Sequence, residues 1–148
     1  KGFYDRPIAR NVIPLAGNLT ENGYSDEEMK FVNESRKILN IPQLIVEPSN
    51  ARVGVKTGHG IFCSATFEEE ADVQEAIELI DSFDGVEYWK DKLPTPLDAE
   101  GNKKVLVGRM RNGLSDNRIL NFWAVSDNLL KGAALNAVQI ARYIVDND

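Results

Sequence analysis

The end of the chain constrains the fold more than any other stretch, because it reads as a helix with apolar residues on two adjacent stripes. Leu129, Ala133, Ala137, Ile140 and Ile144 recur at helical spacing along one stripe, and Leu130, Ala134, Val138, Ala141 and Val145 lie along the next. A surface helix carries a single apolar stripe, so a helix over residues 129–145 with two must be covered on more than one side. Gly132, Ala133, Ala134 and Ala137 are small enough to let another backbone come close, and Ser126 or Asp127 can cap the first turn.

The preceding segments alternate between helical and extended patterns. Residues 1–24 hold a short apolar patch between polar and glycine-containing stretches and read as an irregular connector. Ser25 and Glu28 then have the spacing of a capping box, and the helix they start carries Met29, Val32 and Leu39 on its buried side until Asn40 and Pro42 end it. Residues 44–55 predict a strand bent near Pro48, and residues 61–67 predict a second. An acidic run, Glu68-Glu69-Glu70, favours the positive end of a following helix, which carries Val73, Ala76, Ile77 and Ile80 and ends near Gly85. Residues 85–89 predict a short strand, and Pro94-Thr95-Pro96 with residues 99–102 marks a long loop. Residues 104–111 and 119–125 predict two further strands joined by a hairpin connection. The implied class is α+β: one compact domain over 1–148, with a mixed, mainly antiparallel sheet and helices packed on one face.

Residues 51–63 hold the one histidine of the chain, His59, seven positions after Arg52. Side chains alternate along a strand, so Val53 and Val55 share one face while Arg52, Gly54 and Lys56 share the other. Residues seven apart in an unbroken strand point to opposite faces, so Arg52 and His59 address one ligand only if a bulge intervenes. Thr57-Gly58 is the natural place for it. The pattern alone favours the plainer arrangement, with His59 in a turn and Arg52 paired to a surface carboxylate. Glu27 and Lys30, three apart on the first helix, read from spacing alone as an exposed ion pair.

A formal charge of −6 without any cluster of Lys and Arg argues against nucleic acid or an anionic membrane as partner. No window is long and apolar enough for a membrane span, and the first residues lack the apolar core of a secretion signal. The single cysteine, Cys63, forms no internal disulfide and fits a reducing compartment, so a cytoplasmic location is expected. A start without Met suggests a fragment or a processed chain. Cys63 and His59 do not make a nucleophilic pair, since four residues of extended chain span about 13 Å. One histidine and one cysteine leave no ligand cluster for a metal, and Gly54, Gly58 and Gly60 do not lead from a strand into a helix as a dinucleotide fingerprint would.

Several motifs, in order, carry a family resemblance. Glu27-Glu28-Met29-Lys30, the stretch from Arg52 to Thr57-Gly58-His59, Pro94-Thr95-Pro96-Leu97-Asp98, Val107-Gly108-Arg109 and the run 126–137 opening Ser126-Asp127-Asn128 together resemble the C-terminal part of aspartate-semialdehyde dehydrogenase. The resemblance covers nearly the whole chain. It implies the C-terminal domain of a glyceraldehyde-3-phosphate dehydrogenase-like fold, acting in substrate binding and dimerisation, with a Rossmann domain expected upstream. That family converts L-4-aspartyl phosphate and NADPH to L-aspartate 4-semialdehyde, phosphate and NADP, on the path to lysine, methionine and threonine.

By this resemblance His59 is the general acid and base that serves a cysteine of the nucleotide-binding domain, a role suited to an imidazole, which can both accept and donate a proton. Arg52 grips the substrate carboxylate, Glu27 the amino group and Lys30 the phosphate, and Asn128 contacts the cofactor, NADP. The final helix, about 127–146, is expected to pack on the nucleotide-binding domain, and the chain to associate as a homodimer or homotetramer. Two positions depart from the family pattern: Asn50 stands where a cysteine is usual, and Gly60 where a small Ser, Thr or Ala follows the histidine. Two alternatives stand beside this reading: a non-catalytic dimerisation or ligand-binding module of the same fold, and a related acyl-phosphate reductase.

Overall fold

The computed structural model describes residues 6–147, so the connector expected over residues 1–24 lies partly outside it. The chain forms two compact units, Lys1–Gly54 and Val55–Asp148.

In the first unit, β1 (Val12–Ile13) pairs antiparallel with β2 (Arg52–Val53), and α1 (Asp26–Ile38) lies between them in sequence. Pro14 stops β1 after two residues, because it offers no amide to a ladder. The long strand expected over residues 44–55 is reduced to β2. Pro48 interrupts it, and its strand partner among the described residues, β1, is equally short. The capping box that starts α1 forms as the sequence predicts: Ser25 Oγ accepts the Glu28 amide at 3.1 Å, and Glu28 Oε2 accepts the Ser25 amide at 2.8 Å. Ser25 and Val32 are buried, whereas Leu39, at the frayed end before Asn40 turns left-handed, is exposed.

The second unit contains β3 (His59–Thr66), α2 (Val73–Ser82), β4 (Val86–Trp89), α3 (Pro96–Ala99), β5 (Val105–Asn112), β6 (Ile119–Ser126) and α4 (Leu135–Asn147). Its sheet has the order β3-β6-β5-β4, antiparallel except where β4 runs parallel to β5. The class is α+β with a mixed, mainly antiparallel sheet, as the sequence implies.

Alternation along β5 and β6 sends side chains to two cores. Val107, Met110 and Leu120 meet Ala76, Ile77 and Ile80 of α2, which Asp72 caps through the amides of Gln74 and Glu75. Leu106 and Val125 meet Ala99, Trp89 and Trp123 on the opposite face. There α3 falls in the stretch whose prolines predict a loop; Pro96 begins a single turn that Asp98 closes onto Thr95. A bulge in β5 shifts the register between Gly108 and Arg111. Arg109, left-handed at φ 58°, places its guanidinium 5.6 Å from the centre of the Phe62 ring.

The final helix departs from the unbroken one expected. A π-helical turn, Leu130–Ala134, precedes α4, and Ala133 within it leaves helical geometry at φ −146°, ψ −106°. The kink follows Gly132, a poor helix former, and a π turn is a common cause of such breaks. No residue of α4 is buried, although Val138, Ile140, Ile144 and Val145 belong to its two apolar stripes. Among the described residues no helix is long and apolar enough to cross a membrane.

Candidate active site

The sequence-predicted site residues fall into two groups: Glu27, Lys30 and Arg52 lie in the first unit, His59 and Asn128 in the second.

Glu27 occupies the acidic first turn of α1, and Lys30 stands one turn on. Their side chains pair at 2.8 Å and both are exposed, so the arrangement read from helical spacing is the one observed. The hydrogen bond to Glu27 holds the Lys30 ammonium above its ordinary value. Arg52 is half-buried on β2, where its backbone stands opposite Ile13. Its Nε is buried and has no hydrogen-bond partner among the described residues. A buried donor left unpaired is costly, and an anionic oxygen would satisfy it.

His59 is the first residue of β3, exposed and paired with Ser126 of β6. The preceding Gly58 has φ 100°, a conformation that favours glycine, and its amide donates to Asn128 Oδ1 at 2.9 Å. This corrects the expected bulge. Arg52 and His59 do not share one strand, because β2 pairs with β1 while β3 belongs to the four-stranded sheet. Gly58 supplies special backbone angles where the chain enters β3, outside any ladder.

Asp127, 4% exposed, fixes the segment that carries Asn128. Its Oδ2 accepts the Gly101 amide at 2.8 Å, and its Oδ1 accepts the amides of Leu129 at 2.8 Å and Leu130 at 3.3 Å. These donors, the Gly101 amide foremost, hold its carboxyl below the usual carboxylate range. The cap expected at Ser126 or Asp127 is therefore Asp127, and its second tie, to the α3 loop, is not legible in the sequence. Asn128 Nδ2 makes no hydrogen bond among the described residues, so an amide donor remains at the start of the last helix. Burial pushes the Cys63 thiol up, which suits a packed side chain and not a nucleophile.

The two departures from the family pattern each have a structural counterpart. Asn50 donates its amide to Glu28 Oε1 at 2.9 Å, and its side chain bonds the Ala16 amide and Ser25 Oγ. A Cβ at Gly60 would lie 2.0 Å from the Trp123 ring, so glycine there makes room for the indole.

Comparison with known proteins places this α+β sheet domain among dehydrogenase dimerisation domains. Residues 1–131 match the model of the semialdehyde dehydrogenase dimerisation-domain family, and the chain belongs to that family. It is 46% identical over 145 residues to the aspartate-semialdehyde dehydrogenase of Streptomyces akiyoshiensis, covering 97% of this chain and 42% of that protein. It is 40% identical over 139 residues to the protein of the same name from Bacillus subtilis, covering 90% and 40%. Among solved structures it resembles aspartate semialdehyde dehydrogenase II of Vibrio cholerae with a TM-score of 0.94 and 39% identity, covering 99% of this chain and 44% of that one. A second structure of that protein, with the same score, is described as complexed with ASA. The chain thus spans less than half the length of the relatives it matches.

Proposed function

We propose that this chain is the substrate-binding and dimerisation part of an NADP-dependent aspartate-semialdehyde dehydrogenase. The complete enzyme converts L-4-aspartyl phosphate and NADPH to L-aspartate 4-semialdehyde, phosphate and NADP. It works in the cytoplasm, as a homodimer or homotetramer, on the route to lysine, methionine and threonine. The names of the relatives and the neighbour complexed with ASA support the substrate class. The observation that carries the reading for this chain's own residues is the buried, unpartnered Nε of Arg52, a donor suited to a substrate carboxylate.

The substrate is an amino acid with one ammonium, one carboxylate and one phosphate, and the residues supply a complement to each. Arg52 takes the carboxylate. Glu27 and Lys30, paired with each other at the surface, exchange that pair for the ammonium and the phosphate respectively. An exposed pair is weakly held, so the exchange costs little. His59 accepts the proton of a cysteine nucleophile contributed by the nucleotide-binding domain, and returns a proton later in the cycle. The Gly58–Asn128 tether limits where its imidazole can reach.

NADPH supplies the hydride when bound. The free amide of Asn128 fits a contact to the nicotinamide end, with the rest of the cofactor held by the nucleotide-binding domain. The unburied stripes of α4 pack on that same domain.

The test is phosphate-dependent reduction of NADP with aspartate semialdehyde by the longer polypeptide, run beside His59→Ala and Arg52→Ala. Wild-type turnover is expected, with His59→Ala lowering kcat by about 10²-fold or more and Arg52→Ala acting mainly on KM. A folded wild type without turnover would leave a non-catalytic ligand-binding module or a different acyl phosphate.

A further inference from the structure

Arg52 is held by little regular structure. Its strand has two residues, Arg52 and Val53, facing two in β1, and a ladder that short does not fix a side chain by itself. What supplements it is Asn50, two residues earlier in the chain and half-buried. Its Oδ1 accepts the Ala16 amide at 2.9 Å, its Nδ2 donates to Ser25 Oγ at 3.2 Å, and its backbone amide donates to Glu28 Oε1 at 2.9 Å.

These three partners belong to two neighbouring pieces of the first unit. Ala16 lies three residues beyond Ile13, the strand partner of Arg52. Ser25 and Glu28 form the capping box of α1, which carries Glu27 inside that box and Lys30 in the following turn. Ser25 is fully buried and Glu28 spends both carboxylate oxygens within the network, one on Ser25 and one on Asn50. The strap leading into α1 is tied separately, through Asn18 to Asp26 at 2.9 Å. Asn50 is thus where the Arg52 strand, the β1 extension and the first turn of α1 meet.

We propose that Asn50 is a positioning residue for substrate binding: it locks the strand bearing Arg52 to the helix bearing Glu27 and Lys30, and so sets the spacing at which the three meet one substrate. A side chain with one acceptor and one donor is needed to join a backbone amide to a hydroxyl oxygen, and an amide provides both. Cysteine, a weak donor and acceptor, provides neither well. The role rests on the function proposed above, and it predicts an effect on KM in place of a general loss of folding.

The experiment uses the longer polypeptide and compares wild type, Asn50→Ala, Asn50→Asp and, as a control, Tyr24→Phe. The control removes a 2.6 Å bond from Tyr24 to Glu47 in the same unit while leaving every hydrogen bond of Asn50 in place. Asn50→Ala is expected to raise KM for aspartate semialdehyde about tenfold or more, with kcat within about threefold. Asn50→Asp, which keeps the acceptor for Ala16 and can receive the Ser25 hydroxyl, recovers most of that loss. Tyr24→Phe leaves KM unchanged. Should Asn50→Ala not fold, Asn50→Ser, too short to reach both Ala16 and Ser25, carries the same expectation. A lower melting temperature with unaltered KM, or an equal rise in KM for Tyr24→Phe, overturns the role of Asn50 alone. Absence of wild-type turnover overturns the functional reading, and the role falls with it.

Discussion

Asn128 Oδ1 accepts the amide of Gly58 at 2.9 Å across 70 positions of sequence, and so ties the start of the last helix to the residue that precedes His59. One side chain offers two purposes: its oxygen fixes the amide of Gly58 next to His59, and its Nδ2 makes no hydrogen bond among the described residues and is left to donate. These purposes separate by substitution. In the longer polypeptide, Asn128→Ala is expected to lower kcat about tenfold or more and to raise KM for NADP. Asn128→Asp retains the acceptor for Gly58 and loses the donor, so kcat should hold while KM for NADP rises. Steady-state kinetics on both variants check this, and equal damage to kcat would show that the tether does not govern His59.

Gly60 and Trp123 form a matched pair on the sheet. Trp123 lies across the glycine and donates its indole N–H to the Pro94 carbonyl at 2.7 Å, which ties β6 to the loop before α3. Gly60→Ser forces the ring away from that bond and should cost about 1–3 kcal/mol. Combined with Trp123→Phe, the same serine should cost less than the two single changes added together. Urea unfolding of the four proteins measures the coupling. Strict additivity would mean that the indole yields without strain.

The contrast between what periodicity predicts and what forms is instructive at particular residues. The capping box at Ser25, the strands of the four-stranded sheet and the Asp127 cap are set by short-range pattern, and all three are legible. Residues 44–51 are not, because their apolar content predicts a strand while only a partner could make one, and β1 offers two residues. Helical spacing identifies Glu27 and Lys30 as a pair, which they are. Nothing in the spacing distinguishes a pair that waits for a ligand from one that does not; that distinction comes from resemblance. The ties of Asn50 to Ala16 and of Asp127 to Gly101 span 34 and 26 positions, and no local pattern announces them. Gly60 is understood only once Trp123 is seen above it.

Asp127 should leave its mark on acid stability. Its folded carboxyl lies below the usual range because the Gly101, Leu129 and Leu130 amides favour the charged form, whereas the unfolded carboxyl has its ordinary value. Its contribution is therefore complete above the ordinary carboxylate range and is lost as pH falls through that range toward the depressed value. Asp127→Asn removes this titration. The gap in urea midpoint between wild type and variant should be widest near neutrality and shrink on acidification. A gap independent of pH would show that the charge on Asp127 is not what the amides stabilise.

The exposed stripes of α4 make opposite predictions for the chain alone and for the longer polypeptide. Val138 and Val145 are 64% and 76% exposed, and both lie on the second apolar stripe. Exposed apolar surface of this kind drives association, so the isolated chain should bind an apolar dye and self-associate. Changing both valines to lysine should reduce both effects while leaving its circular dichroism unaltered. If the nucleotide-binding domain covers α4, the same pair of lysines would bury charge in the longer polypeptide and lower its thermal midpoint by several degrees, by roughly the cost of core disruption. Thermal melts of the two forms, each with and without the lysines, decide the matter. A longer polypeptide that tolerates both lysines would show that α4 remains at the surface there too, and its packing would have to be sought in a second copy.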